Sequence, residues 1–474
     1  MNTLRPLRVP AQSATQPAQV VHVLTNVQKC ISGLLPFIST LQPEITEAPR
    51  KLKKAGPGKP AVLPEAALWV AMLLCVLKRS PSQKAVWRTL TAQWAEFGLD
   101  HFDLSPQAIY QRLARTKPKA MEKLFSQVTA LLLKLYPNCP GGLAGVASFA
   151  SDIIALDQTT LDPVLRKTKL LRWLCKGHDG LLPGALNCIF DIRRQLWRTI
   201  KYIQDAKENE KKQARACVEG LKPGTLILAD MGYFSFAWFD YLALSGHWFI
   251  SRVREKTTCV PKDILFDGWS NDVQVTDRIV HMGAYRADMM ACPVRLVEIT
   301  IQSNTGSDRT EVHRYITNVL DPVQLSVHDI IKLYRRRWDI ERAFNLVKTD
   351  LGLHMLCSSK PNTILTQVFA TFTIAQIVLA MRLEIARQTG AEVQEVSLNL
   401  LVREIPRFIA EGKDPVEEFV LHGRKMEWIR PYRSKQYTLP DIDLTRYHVP
   451  ETVTLWRKPR YAGRKNGPRP RTPT

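Results

Sequence analysis

The stretch from Leu333 to Leu351, LYRRRWDIERAFNLVKTDL, constrains this chain more than any other, because its apolar and charged residues separate at a helical repeat. At about 100° per residue, Leu333, Ile340, Phe344, Val347 and Leu351 fall at about 220° to 280°, the apolar stripe of a helix docked on a core. Tyr334, Arg337, Glu341 and Lys348 fall at about 0°, 300°, 340° and 320°, a second stripe beside the first. One carboxylate, two cations and a phenol are therefore expected at the rim of a buried face. Lys332, Asp339, Arg342 and Asp350 occupy the far side and read as solvent-facing. The same spacing also suits a surface helix laced by ion pairs, since Arg337 and Glu341 stand four apart.

The rest of the chain bounds the partners of that helix. Its 474 residues, 45% of them hydrophobic, suffice for a large core and two or three domains. A formal net charge of +22 favours a polyanion, with salt-sensitive binding. Nucleic acid leads; an anionic membrane surface fits less well, because the basic residues are spread through folded-looking sequence. The nine cysteines are dispersed, with no CxxC pair, which argues for reduced thiols and against a zinc site or a disulfide frame. No signal-peptide core opens the chain, and Ala67 to Leu77 is too short to span a bilayer. Thr363 to Leu383 is longer, but Thr366, Gln367, Thr371, Thr373 and Gln376 interrupt it, so it reads as a buried helix.

Taken in order, residues 1–63 read as a loose arm, a helix near Val20 to Thr40 and a basic linker, RKLKKAGPGK, suited to solubility or to phosphate contact. Residues 64–145 read as an all-helical domain with helices near 64–79, 82–97, 106–115 and 118–136. Ser105 followed by Pro106 is a good helix start. If it opens the second helix of a helix-turn-helix, Gln107, Tyr110, Gln111 and Arg115 would face DNA; a plain helical bundle gives the same pattern. After NCPGGLAG the texture turns to strands at 153–157, 185–191 and 196–202, then a helix at 205–219 and a strand at 225–229. A helix at 238–244 and a strand at 247–253 complete a unit from 146 to 253. Residues 254–322 read as inserted β structure, 323–390 as the glutamate helix and the buried helix behind it, and 391–474 as a helical region with a basic tail. That tail, Arg457 to Thr474, holds seven basic residues and no acidic one, a composition suited to DNA contact or solubility. No glycine-rich phosphate loop is present, so ATP is not implied.

Tyr, two residues, Arg, three residues, Glu, six residues, Lys, set in YRRRWDIERAFNLVK with Trp338, Ile340, Phe344 and Leu351 around it, resembles the Tyr-Arg-Glu-Lys signature of bacterial insertion-sequence transposases of the family numbered four. The resemblance covers Ser148 to Leu383 and implies an α/β fold, an RNase H-like catalytic core with a β-rich insertion before the glutamate helix. The strand, strand, strand, helix, strand order agrees. It also implies an Asp, Asp, Glu triad and cut-and-paste DNA transposition; with no signal-peptide core and no spanning segment read above, the expected location is the cytoplasm of a bacterial cell, at the nucleoid if DNA is the partner.

Two aspartates answer to that triad. Asp157 in IIALDQTTL and Asp230 in TLILADMGYFS each sit where a buried strand is expected to end. Gln158 stands where the family has Gly, while Asp157 and Thr159 keep its pattern. Asp152 and Asp162 compete nearby, the one opening a strand and the other preceding Pro163; Asp230 could also be a mere turn cap. Three carboxylates suit two Mg²⁺ ions, with Mn²⁺ as substitute, about 3.5 to 4 Å apart, which make a nucleophile and stabilise a leaving oxygen. By role, Asp157, Asp230 and Glu341 would hold the metals, while Arg337, Lys348 and Tyr334 would contact phosphates. Trp338 either packs or stacks on a base displaced near the cut, as the family's behaviour implies. The resemblance further implies double-stranded DNA partners (element ends and target), a hairpin intermediate, strand transfer and a homodimer in a synaptic complex. A DNA-binding repressor with inert carboxylates and a nuclease without strand transfer remain alternatives.

Overall fold

The computed structural model describes residues 63, 65–80, 82–92, 103–137, 143, 145–161, 184–203, 210–254, 256–270, 273–283, 288–302, 310–431 and 447. The expected helix at 20–40, the basic linker, the end of the 82–97 helix and the basic tail lie outside them, as does Asp162.

Four helices open the described chain: α1 (Glu65–Leu77), α2 (Gln83–Ala92), α3 (Pro106–Arg115) and α4 (Lys119–Leu135). Ser105 caps α3 as its sequence predicts, its side chain accepting from the Ala108 amide with Pro106 in the first turn. These helices do not enclose a core of their own. They pack on α9 (Pro361–Thr389), where Phe125 meets Phe369 and Phe372 at 6.4 and 6.3 Å and Asn362 donates to the Ala114 carbonyl.

The sheet begins with β1 (Ile153–Thr160), β2 (Ala185–Asp191) and β3 (Leu196–Ile203), an antiparallel meander. Helix α5 (Glu210–Val218) then crosses to β4 (Leu226–Ala229), parallel to β1, and α6 (Phe236–Leu244) to β5 (Trp248–Arg252), parallel to β4. The expected β insertion is four strands, β6 (Cys259–Ser270), β7 (Val273–Met282), β8 (Val294–Ile301) and β9 (Glu311–Thr317). It is continuous with the core, because β9 pairs with β5 and gives one nine-stranded sheet, β3-β2-β1-β4-β5-β9-β8-β7-β6.

Alternation along the strands sorts side chains onto two faces. Ile154, Leu156, Ile189 and Ile227 face α5 and α6, while Ile153, Ala155, Cys188 and Leu228 face the larger core. Helices α7 (Val327–Arg336), α8 (Trp338–Asn345) and α9 cover that larger face, and α10 (Leu398–Ala410) and α11 (Pro415–His422) close over α9. Helix α9 is the one described helix long and apolar enough to cross a membrane, and it lies inside the protein. The hydroxyls of Thr366, Thr371 and Thr373 bond to carbonyls one turn back at 2.7 to 2.8 Å, so each is satisfied while buried. Gln376 accepts from the Trp197 amide at 2.9 Å and donates to its carbonyl at 2.8 Å. It thereby pairs the backbone of edge strand β3, which β2 pairs on one side only.

The single helix expected over 333–351 is three segments. Helix α7 stops at Arg336, Arg337 forms the joint, α8 runs to Asn345, and Leu346–Asp350 is a π-helical turn in which the Leu351 amide reaches the Leu346 carbonyl at 2.8 Å. Neither break carries a proline or glycine, so the local sequence does not mark them. One consequence is that Asp339 and Asp350, expected in solvent, are 5% and 4% exposed.

Candidate active site

The first aspartate is set by unequal pairing on the two edges of its strand. β1 was expected to end at Asp157 but runs on to Thr160, because β2 pairs with it as far as Ala185 opposite Thr160. The parallel partner β4 stops pairing at Ala155 opposite Leu228, so Asp157 stands just beyond the last rung on that edge, half-buried and on the face toward α8. Its Oδ1 accepts from the Gln158 amide at 2.8 Å. One residue past β4, Asp230 caps a short 3₁₀ turn, Met231–Tyr233, through a long 3.4 Å contact with the Gly232 amide. The cap leaves its side chain 43% exposed, so capping and an open carboxylate coexist.

Glu341 approaches from α8. Between it and Asp230 lies the buried Arg337, with Nη2 2.9 Å from Glu341 Oε1 and 3.8 Å from Asp230 Oδ1. Its guanidinium also lies over the rings of Tyr334 and Trp338, at 5.8 and 5.3 Å. Burial opposes the charge on Arg337, but Asp230, Tyr334 and Glu341 outweigh it and hold the guanidinium above its ordinary range. Burial pushes Asp157 up to about 6; the Gln158 amide and Arg337 pull it down, and Asp230 and Glu341 push it further up. Asp157 therefore responds to both Asp230 and Glu341, and the Arg337 guanidinium lies between the latter two.

The other expected site residues fall in different settings. Tyr334 is buried, its ring 5.2 Å from that of Tyr315, and burial pushes its hydroxyl up to about 12. Lys348, on the π turn, lies with its ammonium 5.4 Å from the Phe344 ring and lines a small cavity with Thr159 and Thr160. Trp338 is 56% exposed, so it does not pack into the core, and it lines an open cleft of about 480 Å³ with Glu341, Arg342, Asn345 and Asn399. Gln107, Gln111 and Arg115 are exposed along one face of α3, and Tyr110 is half-buried there; they stand on a separate element from the carboxylates. Asp152 is spent on structure: Arg194 and Arg198 bind it at 2.7 and 2.8 Å and, against its burial, hold it below the ordinary carboxylate range. Arg254, which the sequence did not single out, donates to the Met231 carbonyl in the turn behind Asp230 at 3.3 Å.

Among the described residues no three His, Cys, Asp or Glu side chains form a ready cage for an ion. The donor set is nonetheless the all-oxygen one that Mg²⁺ takes. Burial first, and the repulsion of Asp230 and Glu341 after it, raise Asp157, and a divalent cation would offset both, so the residues fit such an ion in chemistry and charge.

Residues 151–377 match the family model of the transposase DDE domain. A Sinorhizobium fredii protein named "Putative transposase y4zB" is 23% identical over 230 residues, 47% of this chain and 59% of that protein. The chain thus spans about three fifths of the length of that relative. Among solved structures, a piggyBac transposase synaptic complex with hairpin DNA aligns over 90% of this chain and 88% of that one, at 8% identity and a TM-score of 0.38.

Proposed function

We propose that this protein is a transposase that binds the terminal inverted repeats of its own insertion sequence and moves it by metal-dependent cut and paste. The observation that carries the reading is the convergence of Asp157, Asp230 and Glu341, from β1, the end of β4 and α8, around Arg337 within the stretch that matches the DDE domain. The order of β1 to β5 supports an RNase H-like core, and the Tyr-Arg-Glu-Lys spacing supports the insertion-sequence family numbered four.

In this reading Asp157, Asp230 and Glu341 would hold two Mg²⁺ ions, or Mn²⁺ in their place, which would supply a nucleophile at neutral pH and stabilise the leaving oxygen. Arg337 and Lys348 donate charge-assisted hydrogen bonds to phosphates beside the cut. The hydroxyl of Tyr334 keeps its proton throughout the neutral range and can donate in the same way. Water attacks phosphorus, the bond to the 3′ oxygen breaks, and a free 3′ hydroxyl is left. That hydroxyl attacks a phosphodiester of the opposite strand and displaces the 3′ oxygen of the flanking DNA to give a hairpin; water cleaves the new bond and restores the 3′ hydroxyl, which then attacks a target phosphodiester and displaces the target's own 3′ oxygen. Trp338, exposed beside the triad, offers a face to a displaced base, whose unstacking costs a few kcal/mol. Gln107, Tyr110, Gln111 and Arg115 contact the element ends, and two copies of the chain form the synaptic complex.

The test is Mg²⁺-dependent cleavage of a plasmid carrying the DNA that flanks the gene, comparing wild type with Asp157→Asn, Asp230→Asn and Glu341→Gln. All four should bind the DNA, and only the wild type should cut, with a loss of at least about a thousandfold in each variant. Joined products distinguish a transposase from a nuclease. Wild-type protein that binds and never cuts with either metal would leave the repressor reading in its place.

A further inference from the structure

Asp339 is a buried carboxylate that the proposed chemistry does not use, two residues from Arg337 and two from Glu341. Its Oδ2 accepts from Arg336 Nε at 2.5 Å and from Gln195 Nε2 at 2.9 Å. Arg336 is the last residue of α7, and Gln394 faces its guanidinium from the far side, accepting at 2.5 and 3.3 Å once its amide is turned oxygen-inward. Gln195 closes the β2–β3 turn. It is 2% exposed, also donates to the Ile192 carbonyl, and holds a φ of 54°, a left-handed conformation that a non-glycine residue keeps only when its surroundings require it.

The preceding residue in that turn, Arg194, binds Asp152 at 2.7 Å and Asp191 at 2.8 Å. Asp152 directly precedes β1, the strand that bears Asp157. Two sets of polar contacts, joined by the backbone between Arg194 and Gln195, therefore connect the start of β1 to Asp339, at the joint that carries Arg337. No proline or glycine makes that joint, so its angle rests on tertiary ties, and Asp339 in the first turn of α8 is the residue where they meet.

We propose that Asp339, clamped between Arg336 and Gln195, is a positioning residue that fixes the α7–α8 joint and so sets Arg337 and Glu341 against the strand ends bearing Asp157 and Asp230. The proposal rests on the reading of Glu341 and Arg337 as site residues. It predicts that loosening the clamp weakens metal use and turnover while leaving DNA binding in place.

The experiment uses the full chain labelled with 5-fluorotryptophan. The Trp338 ring lies against the Arg337 guanidinium, and its ¹⁹F resonance is identified by its absence from Trp338→Phe. In Asp339→Asn and Gln195→Ala that resonance should shift or broaden. The cleavage rate at saturating DNA should fall at least tenfold, the Mg²⁺ concentration for half-maximal rate should rise at least threefold, and metal-free DNA affinity should stay within twofold. A Trp338 resonance unmoved in both variants, with wild-type Mg²⁺ dependence once corrected for folded fraction, would reduce the clamp to a purely structural tie and overturn the proposal. Should Asp339→Asn fail to fold, Gln195→Ala carries the same test, since it leaves the Arg336 pair in place. Should the wild type never cleave, the proposed function falls, and the Trp338 resonance alone decides the clamp.

Discussion

Asp157 sits on the core-facing side of β1, where folding takes its carboxyl out of water before any cation is present to compensate. Burial, with Asp230 and Glu341 adding to it, raises the group from an ordinary 3.8 to about 6. A carboxyl whose folded value is raised favours the folded state fully below the unfolded value, and that contribution is lost as pH rises from about 4 through about 6. In protein stripped of divalent ions, Asp157→Asn should therefore raise stability at pH 7.5 by on the order of 2 kcal/mol. Urea melts of both proteins at pH 7.5 and pH 4 measure this; the gain should be present at the higher pH and absent at the lower. An equal gain at both would mean that ionisation is not its cause. Adding Mg²⁺ at pH 7.5 should narrow the gap, because the cation should bind the folded wild type more tightly than the variant, which lacks one of the three carboxylates. Catalysis carries the opposite sign: protons compete with Mg²⁺ for Asp157, so the Mg²⁺ concentration needed for half-maximal cleavage should rise as pH drops through about 6.

At the scale of elements, Gln376 shows how a polar residue becomes indispensable inside an apolar helix. Its amide is fully buried and completes three contacts, two to the backbone of Trp197 and one to Thr129 at 2.7 Å. Gln376→Ala would strand the Trp197 amide and carbonyl against the core and open a void beside a ring already packed on Phe190, Phe344 and Phe372 at 5.0 to 5.1 Å. The expected loss is roughly 3 kcal/mol, read from a two-probe denaturant melt, with DNA affinity per folded molecule unchanged. The sequence made α9 legible as a buried helix through its scattered threonines and glutamines, yet their partners lie far along the chain and carry no local signature. The same limit governs the glutamate helix. Its 3.6-residue repeat identified the apolar stripe of Leu333, Ile340, Phe344 and Val347, all buried, but projecting that repeat through Arg337 put Asp339 and Asp350 in water. Strand pairing is likewise nonlocal. The insertion's strands were readable from alternation, whereas their continuity with β5, and the extension of β1 past Asp157, depend on partners that periodicity does not name.

Across the whole molecule, the front helices share one hydrophobic core with α9 and the glutamate helix, so the elements proposed to grip DNA are braced on those proposed to cut it. Over that frame lies a charge of +22, and its distribution makes a prediction that a single contact cannot. Each phosphate neutralised by Lys or Arg releases counterions and steepens the fall of affinity with salt, by about 0.9 per contact on logarithmic axes. The seven basic residues from Arg457 to Thr474 contain no acidic neighbour to offset them. If they engage the backbone, deleting 457–474 should lower the salt slope of binding to element-end DNA by up to about 6 and weaken binding most at low ionic strength. The loss should be the same on unrelated DNA of equal length, because phosphate contacts carry no sequence information. Arg115→Ala and Gln111→Ala on α3 should behave in the opposite sense, reducing the preference for element ends by about tenfold each with little change in slope. A tail deletion that leaves the slope untouched would assign those cations to solubility. One that erased the preference as well would move sequence reading from α3 to the tail, an outcome that titrations at two salt concentrations on two DNA sequences can distinguish.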